Sequence, residues 1–133
     1  MLVKRKQHIS PRAKRANLRW YVKAVTPKGT LEGVTKDIST RGAYVCCARP
    51  LRLNEVFHMS INAPEKSLHV KAEVVWSNKY GPNDEINPRG MGVRFLKISS
   101  QDRKFIAKEV RQSGSDDLEL EKLETITIEV GDD

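Results

Sequence analysis

The chain has 133 residues, 38% of them hydrophobic and 31% charged, with a net charge of +7. That is about one domain's length, enough to bury roughly two-thirds of the surface exposed by the unfolded chain, and no stretch approaches the roughly 18 uninterrupted apolar residues that cross a bilayer. The opening MLVKRKQHIS lacks the apolar run of a secretory signal, so a cytoplasmic protein with no membrane insertion is expected.

The elements follow in chain order. Residues 1–10 read as a flexible basic arm without apolar periodicity. Lys4, Arg5, Lys6, Arg12, Lys14, Arg15 and Arg19 all precede Trp20 with no acid among them. From Trp20 short apolar runs alternate with turn residues. Trp20 to Thr26 and Leu31 to Ile38 predict two strands joined at Pro27-Lys28-Gly29 as a hairpin, and Ser39 to Gly42 turns the chain again. Ala43 to Ala48, Glu55 to Ile61, Leu68 to Ser77 and Met91 to Leu96 are four further strand candidates. Alternation puts Ala72, Val74 and Trp76 on one face, and sets Val93 and Phe95 against Gly92 and Arg94. Six short strands at this spacing predict a mainly β fold, a small six-stranded antiparallel barrel. A C-terminal helix follows, announced by Ser99 with Asp102 three residues on, its apolar stripe formed by Phe105, Ile106 and Val110. The domain is expected over 11–112 and an acidic tail over 113–133, where Ile126, Ile128 and Val130 alternate as in an extra strand.

The net charge hides an asymmetry. Met1 to Gly114 holds 23 Lys and Arg against 9 acids, a net of +14, whereas Ser115 to Asp133 holds one Lys against 8 acids, a net of −7. So basic a body predicts an anionic partner: nucleic acid, nucleotide or membrane surface. Catalytic constellations are scarce. His8, His58 and His69 are scattered, Gly90-Met91-Gly92 precedes a strand and so is not a phosphate loop, and the body's acids form no clean pair. Neither an enzyme nor a metal or other cofactor is expected. Cys46 and Cys47 are adjacent, so on a strand they point to opposite faces and make neither an ordinary disulfide nor a four-ligand zinc site.

The chemistry concentrates in Asp37-Ile38-Ser39-Thr40-Arg41-Gly42. Where a strand ends, Asp37 and Ser39 are expected on the same face. A carboxylate accepts two hydrogen bonds in parallel, the pattern that guanine N1 and N2 present, and a serine hydroxyl can donate or accept beside it. Gly42 would allow a positive φ and a close backbone approach. Asp-x-Ser followed by Gly is also an ordinary turn.

This hexapeptide resembles the (D/N)xSxxG motif of PilZ domains, bacterial receptors for the second messenger cyclic di-GMP. Arg15-Ala16-Asn17-Leu18-Arg19 resembles the family's upstream RxxxR. The resemblance covers about Pro11 to Arg111 and extends to Val56-Phe57-His58-Met59-Ser60-Ile61, Ala72-Glu73-Val74-Val75-Trp76 and Gly90-Met91-Gly92-Val93-Arg94-Phe95. It departs in spacing. Arg19 lies 18 residues before Asp37 and Arg15 lies 22, and the longer spacing is the family's, which leaves two registers: Arg15 with Arg19, or Arg12 with Arg15.

The resemblance implies a receptor that takes cyclic di-GMP between arginines of the arm and the Asp37, Ser39 and Gly42 turn. It implies signal transduction through an altered surface for a downstream protein partner. Arginine suits the ligand, because it forks onto phosphate, bonds the guanine edge and stacks on purines. Two other readings stay open: an adaptor of the same fold that binds no cyclic di-GMP, and a basic nucleic-acid-binding barrel, for which no exposed aromatic platform is evident. The tail could occupy the arginine clamp, or add a strand to the barrel or to a second subunit in a homodimer.

Overall fold

The computed structural model describes residues 14–113, and the expectations placed on residues 1–10, on Arg12 and on the acidic tail lie outside them. Six strands, β1 (Tyr21–Thr26), β2 (Gly29–Ile38), β3 (Gly42–Cys46), β4 (Val56–Ala63), β5 (Lys66–Asn78) and β6 (Gly90–Ile98), pair antiparallel in the ring order β1-β2-β3-β6-β5-β4 and close it. One helix, α1 (100–113), follows. This is the barrel and helix expected from the strand spacing.

Two-residue turns set the register. Pro27-Lys28 joins β1 to β2, where Gly29 takes a φ of 122° and Thr26 Oγ1 donates to the Gly29 carbonyl at 2.8 Å. Pro64-Glu65 joins β4 to β5, with Glu65 at a φ of 64°. The strands therefore run past the expected ends at Ile61 and Leu68 until they meet at this turn, which the apolar pattern alone does not mark.

Period-two alternation fills the interior. Val22 and Ala24, Met59 and Ile61, Leu68 through Val74 at every second residue, and Met91 with Val93 are buried. Each large apolar side chain removed from water contributes roughly 1.5 to 3 kcal/mol. Helix α1 packs against the barrel through buried Ile106 and Val110, and the Phe105 ring sits 6.0 Å from that of Trp20. Ser99 caps it by accepting the Asp102 N–H at 3.0 Å. The Asp102 carboxylate in turn accepts the His69 N–H at 3.3 Å and pairs with Lys66 at 3.1 Å, fastening the helix start to β5.

Two of the three register shifts in the barrel decide which side chains the face near Asp37 presents. Register shifts between Thr35 and Asp37 in β2, so the inward series through Leu31 and Thr35 resumes at Ile38, leaving Lys36 and Asp37 together on the outer side. A second shift lies between Val74 and Trp76 in β5. It overturns the placing of Trp76 with Ala72 and Val74: an extra residue reverses the alternation, and Trp76 is 51% exposed.

Ahead of β1 the chain runs beside β2. Ala16 bridges Ile38, with N–H to carbonyl distances of 3.0 and 2.9 Å. Fully buried Thr35 accepts the Trp20 N–H at 2.8 Å and donates its hydroxyl to the Leu18 carbonyl. Thr35→Val keeps the shape and leaves both backbone groups without this partner, at roughly 1 to 3 kcal/mol for each unsatisfied group. A fall in melting temperature of roughly 10 °C is expected, measured by thermal unfolding. A change within a degree or two would show that the hydroxyl does not hold this segment.

Candidate functional site

The segment before β1 meets the Asp37 to Gly42 turn on the outer side of β2 and β3. Arg15 Nε donates to Asp37 Oδ1 at 2.9 Å, and its Nη2 reaches the same oxygen. The two residues stand 22 apart in sequence, so Arg15, shared by both registers, is the arginine brought onto the motif. The Arg15 side chain is 47% exposed and that of Asp37 23%, which leaves the pair open to solvent along one side.

Arg19 is exposed, next to buried Trp20 at the start of the barrel. Burial pushes the Cys46 thiol above its ordinary value, against the opposing charges of Arg19 and Lys36. Burial also drives the Cys47 thiol up to about 11. Neither sulfur is an activated nucleophile.

Ser39 and Gly42 are placed differently from the expectation. Ser39 is buried rather than sharing the open face of Asp37. Its hydroxyl accepts the Arg41 N–H at 3.0 Å and the Gly42 N–H at 3.3 Å, and its own N–H donates to the Gly42 carbonyl at 2.8 Å. Strand alternation ends at Ile38, and the serine folds back to close the turn. Gly42 does not have a positive φ. The close approach is real, but it is made to β6, where an added Cβ would overlap the Val93 carbonyl oxygen and lie 3.1 Å from Arg94 Cα. Arg103 of α1 steadies the same turn by donating to the Thr40 carbonyl at 2.8 Å.

Cross-strand register supplies the residues that sequence reasoning missed. Asp37 stands opposite Tyr44, Tyr44 opposite Gly92, and Gly92 opposite Trp76. With no side chain at Gly92, the Tyr44 and Trp76 rings meet above it, 5.7 Å apart and tilted by 51°. Lys36 Nζ lies 5.9 Å from the centre of the Tyr44 ring. The Tyr44 hydroxyl donates to the Pro88 carbonyl at 2.6 Å, and burial, first among its causes, raises that phenol's pKa. An aromatic surface flanked by cations and by one carboxylate therefore exists, contrary to the expectation of no exposed aromatic platform. Two aromatics 32 positions apart give no sequence signal; only the bulge in β5 and the glycine between the rings unite them.

Such a face can take a planar, multiply charged ligand: aromatic faces for stacking, Arg15, Arg19 and Lys36 for anionic oxygens, and Asp37 for paired N–H donors.

A family model described as PilZ domain matches residues 10–112. Among solved structures, the PilZ domain with c-di-GMP of YcgR from Escherichia coli is similar at a TM-score of 0.65 and 16% identity, covering 84% of this chain and 97% of that one. The Bacillus subtilis inhibitor of motility MotI/DgrA is similar at a TM-score of 0.65 and 16% identity over 80% of this chain and 52% of that chain. YcgR in complex with c-di-GMP from Escherichia coli gives 0.62 and 16%, over 87% and 50%. The chain thus spans about half the length of the last two, and these likenesses are of fold. A search of curated proteins finds no match.

Proposed function

The chain belongs to the PilZ domain family, and from that premise we propose that it is a receptor and adaptor for cyclic di-GMP, which it takes on the outer face of β2, β3 and β6. The observation that carries this reading is the meeting of Arg15 with Asp37 beside the half-buried Tyr44 and the exposed Trp76 rings. In the ligand-free chain the guanidinium and the carboxylate satisfy each other. A bound nucleotide replaces that pair by two better-matched ones: phosphate for Arg15, and the guanine N1 and N2 donors for Asp37. Arg19 and Lys36 add charge, Trp76 adds a face for a base, and Ser39 and Gly42 hold the turn that presents Asp37. Arg12, ahead of the described residues, is the remaining candidate for a second phosphate contact.

Once Arg15 leaves Asp37 for the ligand, the segment before β1 is held by the nucleotide as well as by Ala16 and Thr35. The surface offered to a downstream protein then differs between the two states. The assignment to a cytoplasmic, bacterial signalling chain follows from the ligand.

Calorimetric titration tests the reading. Cyclic di-GMP is expected to bind with micromolar or better affinity, and GTP and GMP to give little heat, since one guanine engages only half of the face. Trp76→Ala should weaken binding roughly 5- to 150-fold, in line with about 1 to 3 kcal/mol per stacked base. No heat and no thermal shift at high ligand excess would overturn the receptor reading in favour of an adaptor in which the Arg15 to Asp37 pair stays closed.

A further inference from the structure

The barrel face opposite Tyr44 carries a charge pattern that sheet energetics disfavours. In the ring of strands β4 stands directly across from β3, and side chains on β4 and its neighbours form two rows. One row is Lys23, Ser60 and His69; the next is His58, Lys71 and Lys97. Like charges directly opposite each other destabilise a sheet, yet Lys71 and Lys97 are cross-strand partners. No ion pair among the described residues engages Lys23, His58, His69, Lys71 or Lys97.

Two of the neighbouring acids are otherwise engaged: Glu73 pairs with Arg94 at 2.8 Å and Asp102 with Lys66 at 3.1 Å. Glu32 stands across from Lys23, but no ion pair among the described residues joins them. Between the rows runs a shallow groove of about 530 Å³; Met59 and Val70 point into the core, so its outward lining includes His58, Ser60, His69, Lys71 and Lys97.

The cations here are lysines, point charges without the planar fork that arginine offers to phosphate. They suit carboxylates spread along an extended chain. Residues 115–133 supply that chemistry, with eight acids against one lysine, five of those acids falling between Asp116 and Glu124. Nineteen residues reach at most roughly 65 Å, and a tether of this kind holds the segment at roughly millimolar effective concentration. The arginine clamp is a poorer host, because Arg15 already has Asp37. The closed ring, in which every strand has two neighbours, leaves no free edge for an added strand.

We propose that the lysine face centred on β4 is the intramolecular docking site of the acidic tail, residues 115–133. This face lies across the barrel from the nucleotide face, so its test uses no nucleotide and its outcome is separable from the receptor reading.

Amide NMR spectra of the full chain are compared with those of two full-length variants. One carries Asp116→Asn, Asp117→Asn, Glu119→Gln, Glu121→Gln and Glu124→Gln; the other carries Lys23→Gln, Lys71→Gln and Lys97→Gln. Neutralising the tail is expected to shift amides around Lys23, Ser60, Lys71 and Lys97. These shifts should be independent of protein concentration and be lost at roughly 0.5 M salt, where exposed charges are screened. The same tail changes made in the lysine variant should then move those amides no further. Unmoved amides on this face, shifts centred on Lys36, Asp37 and Tyr44, or concentration-dependent shifts marking a second copy's tail would each overturn the proposal.

Discussion

Arg15→Ala is expected to lower affinity for cyclic di-GMP roughly 10- to 100-fold while moving the melting temperature by no more than about 2 °C. The two effects separate because they rest on different terms. In the free chain the pair with Asp37 is solvent-exposed on the arginine side, and such pairs contribute about 0 to 1 kcal/mol to stability. In the complex the same guanidinium would make charge-assisted bonds to phosphate, worth roughly 1.5 to 3 kcal/mol, and about 1.4 kcal/mol is a factor of ten in affinity. Asp37→Ala should cost as much or more, since it removes the acceptor for both guanine donors. The double variant should lose less than the two single losses combined, because the partners are in contact. Arg12→Ala and Arg19→Ala then separate the registers: loss with Arg12 and not Arg19 selects the longer spacing, and the reverse selects the literal RxxxR. Calorimetry and thermal unfolding on the same samples check all of this. Full affinity in Arg15→Ala would mean that the nucleotide does not use this pair.

Gly42→Ala is expected to cost about 2 to 3 kcal/mol of stability, in the range of overpacked interiors, which lowers the melting temperature by roughly 10 to 20 °C. The added methyl would collide with the Val93 carbonyl and crowd Arg94 Cα, both backbone atoms of β6. Backbone cannot turn aside as a side chain can without disturbing the Gly42 to Arg94 and Ala43 to Val93 pairings. Gly92→Ala is the control, for a Cβ there meets only Trp76 Cβ, at 3.6 Å, and should be near neutral in stability. Differential scanning calorimetry distinguishes the two. If Gly42→Ala melts like the parent and only its nucleotide affinity falls, the glycine serves the ligand directly rather than the seam between β3 and β6.

These expectations show where the sequence was sufficient. Alternation of apolar residues fixed the strands and their inward faces, because burial in a sheet has a period of two and the interior excludes water from every second side chain. Ser99, Asp102, Phe105, Ile106 and Val110 likewise announced α1 through its cap and its stripe. The motif at Asp37 to Gly42 and its spacing from Arg15 were legible too, since both are local strings.

What needed the tertiary structure was everything that depends on register. A single extra residue in β2 put Lys36 beside Asp37, another in β5 turned Trp76 from the core to the surface, and no periodicity reveals either until the strands are paired. Ser39 was expected on the open face beside Asp37 and is instead buried in the turn, because alternation stops where its strand ends and the hydroxyl finds the nearest backbone donors. The Tyr44 and Trp76 pair and the lysine rows around β4 join residues remote in sequence. Composition told that the body was basic, which favours an anionic partner. Only the closing of the ring distributed that charge onto two opposite faces, since which strands become neighbours is set by packing the whole barrel at once.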